Sequence, residues 1–137
     1  IPDDVEITLI DRTPFHSLKT EFYALAAGTS PDSGIRVAFP ENEKLKVTYG
    51  EILEIDVDSK QVLLADGQAV SYDELVIGLG CEDKYHNVPG ADEFTYSIQT
   101  IGSSRDTYNK IGGLPSGSVV GIVGAGLSGI ELAIELR

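Results

Sequence analysis

Gly124, Gly126 and Gly129 carry the spacing with most chemical content in this chain, G-x-G-x-x-G, inside the run SVVGIVGAGLSGIELAIEL. Each glycine has its own physical task. The first permits a tight turn, the second lets backbone come close to a pyrophosphate, and the third lets the following helix pack against the preceding strand. Free N–H groups and the positive dipole end of that helix would then face the phosphates. The spacing alone says little in a chain with 15 glycines in 137 residues. Its flanks give it meaning: an apolar run before it and a helical pattern after it point to a dinucleotide site. The alternative is a ligand-free strand-to-helix turn.

The elements that must position these glycines follow from hydrophobic period. Val119, Val120, Ile122 and Val123 form a short unbroken apolar run, expected to be a strand buried on both faces. Leu127, Ile130, Ala133 and Ile134 recur at helical spacing, with Ala133 four residues past the last glycine adding a small side chain on that face. A dinucleotide unit also needs a second strand with an acidic residue about 20 positions on. That position falls after Arg137. No methionine occurs anywhere, and Ile1 stands just ahead of a strand-like run, so the chain is expected to be a piece of a longer protein, truncated at both ends.

Upstream, Val5–Ile10 reads as a strand ending at Asp11, where an acid holds an adenosine ribose in Rossmann folds or simply makes a surface turn. A short helix is predicted over Glu21–Ala27, with Thr20 as N-cap, Gly28 past its end and Phe22, Leu25 and Ala26 as its buried face. From Leu45 to Tyr72 the period changes to two, which predicts an antiparallel meander, and Asp66-Gly67 marks a hairpin before Ala69-Val70. Leu75–Ile77 leads into Gly78-Leu79-Gly80 as a second buried strand ending in glycines. A loop around Pro89-Gly90, a helix over Ser104–Ile111 and the linker Gly112–Gly117 complete the pattern.

Composition narrows the function. Twenty-two acidic residues against ten basic ones give a net charge of −12, which argues against nucleic acid or an anionic membrane as partner. No signal peptide opens the chain and no run approaches a membrane span. Cys81 is the single cysteine, so no internal disulfide or C-x-x-C pair exists, which fits a cytoplasmic protein. Flanked by Glu82 and Asp83, it stands among charges that oppose a thiolate. His16 and His86 have no ligand-spaced partners, and no metal site is expected.

Four features in this order carry a resemblance: the strand ending in Asp11, the meander, YDELVIGLG, and VGAGLSG. The chain resembles the two-dinucleotide-binding-domain flavoproteins of the pyridine nucleotide-disulfide reductase group, and within them type II NADH dehydrogenases. LIDRTPFH with its short helix ending in AAGTSP is similar to that family's second strand and flavin-side helix. The resemblance implies an α/β, partial Rossmann-type FAD/NAD(P)-binding fold with an inserted antiparallel β-meander at about 45–72. Residues 1–112 would be the C-terminal part of an FAD domain, 113–117 a linker, and 118–137 the start of an NAD(P) domain.

Carried over by position, the resemblance puts Asp11 on the FAD ribose, Ile52 beside the adenine, and Gly78 and Gly80 near the FAD phosphate and ribityl chain. Gly124, Gly126 and Gly129 would hold the NADH pyrophosphate, with Glu131 on its nicotinamide side. Leu79 departs from the usual Thr or Ser, and the family's own FAD G-x-G-x-x-G is not in the chain. The implied cofactors are FAD and NAD(P)H. The implied reaction moves a hydride from NADH to FAD and electrons on to a quinone, with no acid or base residue named. A ferredoxin- or rubredoxin-type NAD(P)H reductase with a small redox partner is the alternative, as is a non-catalytic nucleotide-binding or redox-sensing module. The resemblance also implies peripheral contact with the inner face of a membrane. Open strand edges at 75–77 and 119–123 predict that the chain on its own self-associates.

Overall fold

The apolar runs settle into seven strands and four α-helices among the described residues, 2–136, of the computed structural model. In order these are β1 (Ile7–Asp11), β2 (His16–Ser17), α1 (Phe22–Ala27), β3 (Arg36–Val37), β4 (Leu45–Tyr49), β5 (Ile52–Asp56), β6 (Gln61–Leu64), β7 (Ala69–Ser71), α2 (Ala91–Phe94), α3 (Ile101–Gly112) and α4 (Leu127–Glu135). They divide into two compact units that interleave along the sequence. One holds the residues up to 16 together with 38–79, and the other holds 17–37 together with 80 onward.

In the first unit β1 and β4 run parallel, in register from Ile7 opposite Leu45 to Asp11 opposite Tyr49. The Gly50 N–H extends this pairing by donating to the Asp11 carbonyl at 3.0 Å. β5, β6 and β7 form an antiparallel meander. Its middle strand supplies the buried Val62 and Leu64, because β6 is the strand paired on both sides. The expected meander therefore begins at Ile52 and not at Leu45. Alternation along Leu45-Lys46-Val47 reports one half-buried face, and it is silent on whether the neighbouring strand runs parallel or antiparallel. The Asp66-Gly67 hairpin forms as expected, with Gly67 at φ +89° and the Leu64 N–H donating to the Gln68 carbonyl at 2.8 Å. At the β5–β6 turn Asp56 Oδ1 accepts the N–H groups of Asp58 and Ser59, each at 3.0 Å. Hydrogen bonds from Ser59, side chain before backbone, hold the Asp56 carboxyl below its ordinary value.

In the second unit α1 lies under a core of Phe22, Leu25 and Ile35, flanked by Leu18 and Ile101. Phe22, Leu25 and Ala26 are buried as the sequence predicts, and Ala24 joins them. The chain enters α1 through a 3-10 turn, Lys19–Glu21, so Glu21 and not Thr20 is its N-cap, with no side-chain cap. Gly28 ends the helix in the left-handed region, at φ +80° and ψ 12°. The ring of Tyr108 on α3 lies against Gly28 so closely that a Cβ there would overlap it. α3 starts at Ile101, three residues before the predicted Ser104, because Thr100 and Ser103 cap it reciprocally. Asp32 is tied to both Arg36 and Arg105, which joins the turn after α1 to α3.

Two expected strands do not form. Residues 75–80 and 118–123 belong to no strand among the described residues, and Val76, Val119 and Val123 are more than 90% exposed, at 92%, 94% and 97%. A buried strand needs neighbours on both edges and layers on both faces, and the described residues bring no strand to the edges of these runs. For the same reason the expected inner face of α4 is reversed. Leu127, Ile130, Ala133 and Ile134 are exposed, while α4 packs on α1 with Leu132 buried and Glu131 and Glu135 half-buried.

Candidate functional site

Asp11 stands at the carboxyl end of β1, beside the carboxyl end of its parallel partner β4. That is where open α/β sheets bind ligands. Its Oδ1 accepts the Thr13 N–H at 2.8 Å and the Thr13 hydroxyl at 2.9 Å. This Asx turn fixes the carboxylate, and Oδ2 keeps no hydrogen-bond partner among the described residues. The Gly50 N–H on the Asp11 carbonyl brings the β4–β5 corner, and with it Ile52, to the same end of the sheet. The sequence-assigned pair Asp11 and Ile52 thus shares one corner of the first unit. Gly78 belongs to this unit as well, with open space where a side chain would stand.

The second unit holds the fingerprint. Gly124 has φ +109°, a conformation that excludes ordinary side chains. Gly129 sits on the Gly124 carbonyl, and a Cβ at 129 would collide with that oxygen and touch Ile122 Cγ2 at 3.5 Å. The close packing expected of the third glycine is present here, as helix on turn. Gly126 is the N-cap of α4 without a side-chain cap, and nothing lies within 4 Å of where its Cβ would be. The α4 N-terminus therefore presents uncapped backbone donors beside open space.

Glu131, assigned from the sequence to the nicotinamide side, is half-buried on α4. Its charge is felt by Tyr23 on α1. The Tyr23 phenol is raised above its ordinary value, first by Glu21, then by burial, then by Glu131 and Glu135. Tyr23 was not legible as part of this neighbourhood, since nothing in the sequence relates residue 23 to residue 131. Cys81 is exposed, and its thiol donates to Gln99 Oε1 at 3.4 Å.

The model of the pyridine nucleotide-disulphide oxidoreductase family matches residues 3–137. The chain belongs to that family. Among curated members it is 66% identical, over its whole length, to the NADH dehydrogenase-like protein YutJ of Bacillus subtilis. It is 27% identical, over 97% of its length, to the type II NADH:quinone oxidoreductase NdhA of Mycobacterium tuberculosis. It spans 39% of the first relative and 33% of the second. Among solved structures, the sulfide:quinone oxidoreductase of Aquifex aeolicus superposes with a TM-score of 0.70 at 27% identity, covering 80% of this chain and 26% of that one. Membership in the pyridine nucleotide-disulphide oxidoreductase family bears out the resemblance read from the sequence and the partial FAD/NAD(P)-binding fold class. Among the described residues, no helix is long and apolar enough to cross a membrane.

Proposed function

We propose that this chain is the part of an FAD-dependent NAD(P)H dehydrogenase that joins its flavin domain to its nicotinamide domain, and that the whole protein reduces a quinone. One observation carries the reading: Gly124 at φ +109°, Gly129 seated on its carbonyl, and Gly126 opening an uncapped α4. Bound FAD would supply the two-electron chemistry, taking hydride from the nicotinamide and passing electrons to the acceptor. The chain's residues bind and orient. Asp11 offers Oδ2 to a ribose hydroxyl while Thr13 holds Oδ1, and Ile52 lines the same corner. Gly78 and Gly80 give backbone to the flavin side. The first turn of α4 donates to the dinucleotide pyrophosphate, and Glu131 stands on the nicotinamide side. Residues 1–112, 113–117 and 118–137 serve as flavin part, linker and nicotinamide part. The quinone acceptor is supported by the names of the relatives, and a cytoplasmic location with peripheral membrane contact fits that partner.

In the full-length protein, Gly126→Val places a branched side chain where the pyrophosphate must come. NAD(P)H-driven bleaching of the flavin should slow at least about tenfold, equal to about 1.4 kcal/mol, while the flavin stays bound. Unchanged reduction kinetics would overturn the reading.

A further inference from the structure

The space that a side chain at position 80 would need is taken by the ammonium of Lys19, whose Cε lies 3.6 Å from that point. Gly80 has φ +84°, which only glycine adopts readily. The next residue is fixed through the Cys81 thiol to Gln99, just ahead of the Thr100 cap of α3. Lys19 itself begins the 3-10 turn into α1. It makes no ion pair or hydrogen bond among the described residues. Five other cations are committed, Lys44 to Asp3, Arg36 and Arg105 to Asp32, Lys60 to the Asp73 carbonyl, and Lys110 over the Tyr96 ring, and among the described residues Lys19 is the one whose ammonium lies against a glycine of the fold. A chain of net charge −12 has no general attraction for phosphates. A cation held over a glycine of the flavin side, with its three donors uncommitted, is placed to supply that attraction locally.

We infer that Lys19 is the charged partner of the FAD pyrophosphate at Gly80. The inference rests on the proposed flavin site. It adds a side-chain charge where the glycine pattern offers only backbone donors. A glycine at 80 is then required twice, for its backbone conformation and to leave room for the Lys19 head group.

The test uses the full-length protein, stripped of flavin and titrated with FAD and, separately, with riboflavin, which has the same ring system and no phosphate. Lys19→Gln should raise the FAD Kd about tenfold, the scale of one charge-assisted hydrogen bond, and leave the riboflavin Kd within twofold. Its FAD Kd should also depend less on ionic strength than that of the wild type, and Lys19→Arg should recover most of the loss. An unchanged FAD Kd in Lys19→Gln would overturn the inference while the flavin site stands. Equal weakening of FAD and riboflavin would make Lys19 a merely structural residue and would equally overturn it. A wild-type protein that binds neither flavin would remove the flavin reading itself, and this inference with it.

Discussion

Replacing Gly28 by alanine tests how α1 and α3 are held together. At φ +80° a residue with a Cβ pays about 1–2 kcal/mol in the left-handed region. The new methyl would also overlap the Tyr108 ring, so the ring must swing away. Tyr108 is 49% exposed. Burying about half of a ~200 Å² aromatic side chain contributes at most about 2.5 kcal/mol at 25 cal/mol per Å². Expelling it therefore brings the total cost of Gly28→Ala to about 2–4 kcal/mol. In a Tyr108→Ala background only the backbone cost survives, so the same change should cost about 1–2 kcal/mol. The double-mutant cycle, measured by urea unfolding of the full-length protein followed by circular dichroism, should thus show coupling of about 1–2 kcal/mol. A coupling near zero would refute the Tyr108 contact as a source of stability. A cost for Gly28→Ala below about 0.5 kcal/mol would refute the backbone argument as well.

Other expectations come from single side chains. Ser104 is fully buried and its hydroxyl has no partner among the described residues, so Ser104→Ala should be neutral or slightly stabilising in the same unfolding assay, while Ser104→Leu should cost about 1–3 kcal/mol by overpacking. Asp56 is held below its ordinary value by Ser59, so its contribution is complete above the unfolded value of about 3.9 and is lost as pH falls through the lower folded value. A carboxyl carbon NMR titration of Asp56 should show that lower midpoint, and Ser59→Ala should move it back up. If Asp11 Oδ2 holds a ribose hydroxyl, Asp11→Ala should weaken FAD binding by about 1.5–3 kcal/mol, and a variant that keeps its full flavin through dialysis would return Asp11 to a turn residue.

Local signals are legible in this sequence, and long-range partners are not. Gly28 after Phe22–Ala27 and Asp66-Gly67 between two apolar runs are decided by backbone sterics within a few residues, and both stand where the sequence placed them. The fingerprint turn is equally local, and Gly124 and Gly129 adopt the conformation and contact their types suggest. What failed depends on who lies alongside. The β4 pattern could not disclose its parallel partner 38 residues earlier. The apolar runs at 75–77 and 119–123 have the composition of buried strands, but burial requires flanking strands, and none among the described residues pairs with them. Lys19 carries no motif of its own. Its meaning lies in a glycine far along the chain, and only folding brings the two together.

The interleaving of the two units has a consequence for biosynthesis. Neither unit is encoded by a continuous stretch, since each begins before the other is complete. β1 is made first and must wait for β4, beyond an excursion that belongs to the other unit. α1 waits longer, because its partner α3 emerges about 70 residues later, roughly 4–15 s at ribosomal speed. Through that interval Phe22 and Leu25 lack the helix that covers them, an apolar stripe on a nascent chain. The order of synthesis thus makes α1 a natural site for chaperone attention, and it makes truncation between residues 38 and 79 more damaging than a cut at the same distance into a chain of sequential domains.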